Sequence, residues 1–437
     1  MFITNLFSGW REIFSARSNI IGLVAFISFW GFNFSFWGII GLARLIQERY
    51  ARFLEAHSQK PKSPLDIFSS QLTCYDVAAI VPAHNEELVI AKTISSLLPL
   101  VPRSNIFIIS DGSIDKTAEI ARSFQVNVLE LNPSHGKAGA LETGIAHFSF
   151  GERFKAVIFV DADTVLPNDY LDEALPFFTD PEVVAIAGYA RTIWDPAHQS
   201  FRQIYFIAHR EIVYTLSQLL LKFGQSWKHA NVANIVPGFA SIYRSSILNK
   251  INLNPSGLVI EDFNMTFEVH HKNLGRIVHS PKISGYTQDP DNFHDYFRQV
   301  KRWDLGFWQT VKHHGLWPSK FSASLVFFLI EVVLSSLILL VVPIVLVTLS
   351  ILIIFSVFQT GALELFHFFL KLAVLAIWVP NMIISIIAGI IQKRPRYFYY
   401  APFFIFLKFM DSVAFFDGLL GAFLIRSSGR WISPERR

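Results

Sequence analysis

Apolar and polar positions follow three rhythms along this chain, and the rhythm changes at definite points. In residues 1–16, Ile3, Leu6, Phe7, Trp10, Ile13 and Phe14 recur at helical spacing, with Arg11 and Glu12 off that face. That pattern fits an interfacial helix or a frayed polar terminus equally well. Residues 20–47 are apolar enough to cross a bilayer and predict an N-terminal transmembrane segment over 17–57, flanked by Arg44, Arg49 and Arg52. The run is too long for a cleaved leader, and no small-residue cleavage site follows it. Residues 58–75 read as a linker, with Lys, Pro and Ser concentrated in 58–65.

From residue 76 the rhythm changes to short β-branched runs alternating with helical stretches. Strands are predicted at 77–81, 105–110, 126–131, 156–160 and 183–188, and helices at 87–98, 117–124 and 138–148. Such alternation implies an open, mainly parallel, Rossmann-like α/β sheet over 76–290, with ligands beyond the carboxyl ends of its strands. Residues 291–321 predict an amphipathic interface helix. Beyond it, 322–437 predict an α-helical transmembrane region with apolar stretches at 323–357, 363–391 and 401–425.

Charge placement orients these spans. Lys60 and Lys62 follow the first one, and Lys393, Arg394 and Arg396 follow the third, so both flanks are expected in the cytoplasm with the α/β domain. Residues 359–364 carry no Lys or Arg and are expected outside. If 401–425 spans, Arg426, Arg430, Arg436 and Arg437 fall outside, against the rule. A protein-facing or re-entrant helix, with Lys408 and Asp411 paired at i, i+3, is the alternative. The net charge of +4 is small and the basic residues sit beside apolar runs, which points to anionic lipid rather than nucleic acid. The single cysteine, Cys74, excludes an intrachain disulfide and agrees with a reducing compartment.

The chemistry-bearing residues gather where apolar runs end. Asp161 and Asp163 follow 157–160 directly; in extended chain i and i+2 face one way, so both carboxylates can address one hard cation. Asp289-Pro290-Asp291 has the same spacing without an apolar run before it and reads as a turn. Gly136 and Lys137 open a predicted helix, which suits a diphosphate or, equally, a plain tight turn. Glu261-Asp262 follows the apolar run 257–260; a carboxylate there is a natural base, or a cap for a helix at 263–273. Gln299, Arg302 and Trp303 share one helix face, pairing a bidentate phosphate donor with a ring that can stack on a sugar.

Taken in order, these motifs resemble the membrane-bound processive glycosyltransferases of family 2, the group of the cellulose, chitin, hyaluronan and poly-N-acetylglucosamine synthases. The resemblance covers about residues 76–310 and implies a GT-A domain that uses a UDP-sugar and Mg2+ or Mn2+. It implies that Ala83, Asn85, Glu87 and Asp111 line the uracil and ribose pocket, Asp111 accepting from the base. Lys137, Asp161 and Arg302 would hold the donor, Asp163 with Asp161 the metal, and Asp262, beside Glu261, the acceptor proton. Gln299 and Trp303 would hold the acceptor, a growing glycan or a lipid. Ser110, Glu142 and Ile260 depart from the family's usual Asp, Asn and Thr. The stretch 238–244 and the span layout resemble the poly-N-acetylglucosamine synthases most, so UDP-N-acetylglucosamine is the expected donor and an inverting single displacement the expected reaction. A polymer channel would call for an accessory membrane subunit or a homo-oligomer. The rivals are single transfer to a lipid and, from another class, a transporter or a catalytically dead nucleotide-sugar-binding regulator.

Overall fold

The computed structural model describes residues 31–57, 72–195, 197–355 and 359–424. The expected interfacial helix at 1–16, the linker at 58–65 and the tail arginines lie outside the described residues. The first apolar stretch is described from residue 31, where it forms helix α1, Phe32–His57.

A seven-stranded sheet occupies the centre of the α/β region. Its strands are β1 Val77–Ala83, β2 Ile106–Asp111, β3 Asn127–Leu131, β4 Ala156–Phe159, β5 Val183–Thr192, β6 Ser241–Arg244 and β7 Arg276–Thr287, in the order β3-β2-β1-β4-β6-β5-β7. Neighbours β1–β2, β2–β3, β1–β4 and β5–β7 are parallel, and β6 runs antiparallel to both β4 and β5. The fold is GT-A-like and mainly parallel. Every residue of β1 is buried, because the sheet is covered on both faces. Val77, Ala79 and Val81 pack with helix α2 (Ile90–Leu97), while Ala78 and Ile80 face Ala140 and Leu141 of helix α4 (Gly136–His147); helix α3 (Thr117–Ser123) leads into β3.

The first five strands and three helices match the periodicity to within a few residues. Two strands were not predicted, β6 and β7. Leu258, Val259 and Ile260, expected to end an apolar run like those before the other motifs, are loop leading into helix α6 (Glu261–His271). Loop 257–260 is held by helix α7 (Phe293–His314): Val259 N donates to Gln309 Oε1 at 3.0 Å, and a Cβ at Gly306 would lie 2.6 Å from Ile260 Cγ1.

Helix α5 (Phe201–Leu216) starts from a capping box in which Ser200 Oγ accepts from Gln203 N. Beyond α7 come α8 (Lys320–Ile354), α9 (Gln359–Leu372), α10 (Val379–Ile391) and α11 (Phe404–Leu424). Among the described residues two helical stretches are long and apolar enough to cross a membrane, α8 and Gly361–Ile391. Along α8 an exposed apolar stripe recurs every three or four residues, through Phe327, Leu334, Val341, Val347 and Ile354. Helix α11 carries Lys408, Asp411 and Asp417, and its acidic groups are spent on α7. Tyr296 Oη donates to Asp411 Oδ1 at 2.6 Å, and Lys301 Nζ pairs with Asp417 Oδ2 at 2.5 Å. A Cβ at Gly418 would lie 2.8 Å from Leu305 N, so these two helices meet backbone to backbone.

Candidate active site

In the order β3-β2-β1-β4 the chain winds outward from β1 and returns to β4, which leaves a crevice between β1 and β4, the usual ligand position in such sheets. A cavity of about 550 Å³ opens there. It joins Pro82 of β1 and Glu86 after it, Asp161 and Asp163 after β4, Lys137 from α4, Glu261 and Asp262 from α6, and Gln299, Arg302, Trp303 and Asp304 from α7. Phe328 and Val332 of α8 and Phe415 of α11 complete an apolar wall. Eight expected site residues from four segments thus share one space.

The other four do not line it. Asp111 is 1% exposed; its Oδ1 accepts from His135 N at 2.6 Å and its Oδ2 from Ser134 Oγ at 2.7 Å. These bonds pin the turn before Lys137. Asn85, at φ +56°, accepts from Ile114 N at 2.9 Å, and Glu87 Oε2 accepts from Lys116 N at 3.1 Å. Both tie the β1 loop to the β2 loop. Ala83 ends β1 and is buried.

Within the cavity the carboxylates are crowded. Lys137 Nζ stands 2.7 Å from Asp161 Oδ1 and 2.8 Å from Glu261 Oε1; the second is an ion pair by distance without hydrogen-bond alignment. Burial opposes the charge on Lys137, but the two carboxylates outweigh it and its pKa is raised. Asp262 accepts from Gly238 N at 3.2 Å and from Phe263 N at 2.7 Å. It is half-buried by surface area, yet that surface faces the cavity rather than bulk water. Burial and the neighbouring Glu261 push its pKa above the carboxylate range, against Lys137. A Cβ at Gly238 would lie 2.8 Å from Glu261 Oε1 and 3.0 Å from Lys137 Nζ, so only glycine lets this backbone reach the pair.

Three residues that sequence reasoning passed over belong to this site. Asp289, read as part of a turn, lines the cavity with Asp291; burial raises its pKa to about 7, and it accepts from Tyr214 Oη at 2.9 Å. Arg210 of α5 donates to Gln299 Oε1 at 2.7 Å and lies 4.5 Å from the Trp303 ring centroid. A guanidinium therefore lies over the Trp303 ring, which also lines the cavity. Asp304 follows Trp303, and burial with the Asp411 charge raises its pKa to about 8. No local pattern marks Arg210, since its partners lie about ninety positions away.

The residues fit a divalent ion only together with a ligand. Among the described residues no group of three or more His, Cys, Asp or Glu side chains could hold a metal alone. Asp161 and Asp163 offer hard oxygen donors on one wall, so phosphate oxygens would have to complete the shell, as is usual for Mg2+ or Mn2+.

Residues 78–251 match the profile of Glycosyl transferase family 2. That segment is a family 2 glycosyltransferase domain. It is similar to the poly-beta-1,6-N-acetyl-D-glucosamine synthase of Staphylococcus epidermidis, 27% identical over 252 residues, covering 54% of this chain and 57% of that one. It is also similar to a probable glycosyltransferase of Bacillus subtilis, 29% identical over 245 residues, covering 53% of this chain and 54% of that one. The chain thus spans about half the length of the curated relatives it matches. Among solved structures it is similar to a mannosyltransferase from Pyrobaculum calidifontis in complex with GDP-Man and Mn2+, at 17% identity and TM-score 0.49, covering 85% of this chain and 99% of that one.

Proposed function

We propose that this family 2 enzyme transfers a sugar from a UDP-sugar, UDP-N-acetylglucosamine, to a growing glycan at the cytoplasmic face of a membrane, with inversion. The observation that carries this reading is the meeting of Lys137, Asp161, Asp163, Asp262, Arg302 and Trp303 in one cavity at the β1/β4 crevice. Asp262, whose high pKa lets it take a proton near neutral pH, removes the acceptor hydroxyl proton. The hydroxyl oxygen then bonds to the anomeric carbon as the bond to the diphosphate breaks and UDP departs. Lys137 and Arg302 face the negative charge that grows on that leaving group. A divalent cation held by Asp163 with Asp161 would add further neutralisation of the diphosphate. Trp303 offers its ring to the acceptor, and Gln299, fixed by Arg210, sits beside it.

The apolar stripe of α8 supports the membrane setting. The helix would measure roughly 52 Å against a hydrocarbon core of ~30 Å, and such a face is stable against acyl chains rather than water. A second reading, transfer of one sugar to a lipid, is favoured by the apolar wall of Phe328, Val332 and Phe415. Product analysis decides between them. Membranes carrying the chain, given labelled UDP-N-acetylglucosamine and Mg2+ without added lipid, should release UDP and make polymer. A singly glycosylated lipid as sole product would install the second reading, and no UDP release from any UDP-sugar would point to a transporter or a silent regulator.

A further inference from the structure

Three polar side chains in the cavity have no part in the transfer chemistry above. Lys222 ends the wide helical turn Ser217–Lys222, and Gln225 follows one turn later in the segment Phe223–Gln225. Asn234 comes from the loop before Gly238. All three line the cavity and are more than nine-tenths buried, at 8%, 2% and 8% exposure respectively. Yet the Lys222 ammonium makes no hydrogen bond or ion pair among the described residues. Gln225 Nε2 and Asn234 Oδ1 are buried without a partner as well. Leaving such groups unsatisfied costs about 1–3 kcal/mol each, so a donor, an acceptor and a cation kept together against that cost point to a ligand.

We propose that Lys222, Gln225 and Asn234 form the subsite for the terminal N-acetylhexosamine of the acceptor, with the two amides reading its acetamido group and the lysine its ring hydroxyls. The assignment rests on the sugar-transfer reading above. A secondary amide carries one N–H and one C=O, the complement of the Asn234 oxygen and the Gln225 N–H. Leu221 and Phe307, which also line the cavity, offer surface for the apolar face of a pyranose. Asp262 acts electrostatically on Lys222, which places the subsite beside the group that takes the acceptor proton. An acceptor phosphate fits less well, because Asp161, Asp163, Asp262, Asp289 and Asp304 share the space and would repel it. The segment is also held in place: a Cβ at Gly224 would lie 2.0 Å from Trp37 O, so α1 fixes the backbone between Lys222 and Gln225.

The test is binding of a short N-acetylglucosamine oligosaccharide, and of its de-N-acetylated counterpart, to the detergent-solubilised full chain in the presence of UDP. The parent should prefer the acetylated ligand by ~10-fold or more, the scale on which a site built for a polar group rejects its absence. Gln225→Leu and Asn234→Leu should remove that preference while UDP affinity stays as in the parent. Lys222→Met should weaken both oligosaccharides alike, and Lys222→Arg should restore part of the loss. Where a leucine variant also loses UDP binding, the near-isosteric Gln225→Glu and Asn234→Asp replace it and must show the same loss of preference. A parent without preference, or variants that keep it, would overturn the subsite. UDP release from UDP-N-acetylglucosamine is measured separately. Acetyl-selective binding without that release leaves the subsite standing and removes the proposed reaction, whereas release with unaltered preference in the variants does the reverse.

Discussion

Two groups of carboxylates occupy this region of the chain, and the structure treats them in opposite ways. Around β1 and β2, Glu87, Asp111 and Asp115 spend their oxygens on backbone N–H groups and hydroxyls of the adjoining loops. Burial acts to raise the Asp115 pKa, but the bonds from Thr117 and Glu87 outweigh it and the net shift is downward. In the cavity, Asp262, Asp289 and Asp304 have fewer bonds than their burial demands, and all three are shifted upward. Carboxylates alike in chemistry thus do different work. Hydrogen bonds that favour the charged form make a carboxylate a fixed brace, while burial beside other acids leaves it ready to exchange a proton.

The sharpest way to break this contrast is at its extremes. Asp262→Asn should lower turnover by ~100-fold or more while UDP binding survives, because Asn still accepts from Gly238 N but takes up no proton. A near-normal rate would return Asp262 to the structural group. Excess EDTA should abolish turnover of the parent, and full activity there would remove the metal from Asp161 and Asp163. Next in size, Trp303→Ala should keep nucleotide binding and shorten the product severely; unchanged product length would remove the aromatic platform. Arg210→Met should lower stability by ~2 kcal/mol, the cost of losing a charged hydrogen bond to Gln299 and leaving its oxygen unpaired. It should also loosen Trp303, to be read as a fall in melting midpoint and a change in tryptophan emission.

The pH response tests the same division. Asp289 and Asp304 hold their protons to about pH 7 and about pH 8 in the folded chain, but only to about pH 4 when unfolded. The folded state therefore binds more protons between those limits, and stability should fall as pH rises from about 4 through 8. Melting of the ligand-free protein at about pH 5.5 and about pH 8.5 measures this, and Asp304→Asn should flatten the slope. Smallest of all, Asp111→Asn should cost ~1 kcal/mol of stability, since Asn retains one acceptor for His135 N or Ser134 Oγ. A tenfold loss of UDP affinity with unaltered melting would instead show that Asp111 meets the base directly.

How far the sequence reached follows from how local each signal is. The strands β1 to β4 and the carboxylates that end them are legible because burial on both faces makes a strand a short apolar run between turn residues. The strand β7 was hidden by His279, Ser280, Pro281 and Lys282 in its middle, which break any period of two, and by irregular register against β5. The strand β6 is only four residues long and gains its identity from the strands on either side. Asp289 looked like a turn because Pro290 follows it; no turn forms at residues 289–291, and irregular chain after β7 brings Asp289 to the cavity. Arg210 is silent in the sequence for the same reason, since only the meeting of α5 with α7 gives its charge a purpose.

The two glycine contacts on α7 carry a mechanical consequence. At Gly306 the helix backbone rests on Ile260, the residue before Glu261, and at Gly418 the backbone of α11 rests on α7 from the other side. The first joint is a single isoleucine side chain against helix backbone and the second is largely backbone against backbone, so little slack separates the pieces. A tilt imposed on α11 would press on α7 beside Trp303 and, through the Ile260 side chain, on loop 257–260. Rates compared in detergent and in bilayers of graded acyl length test whether the spacing between Asp262 and Trp303 responds to the surroundings.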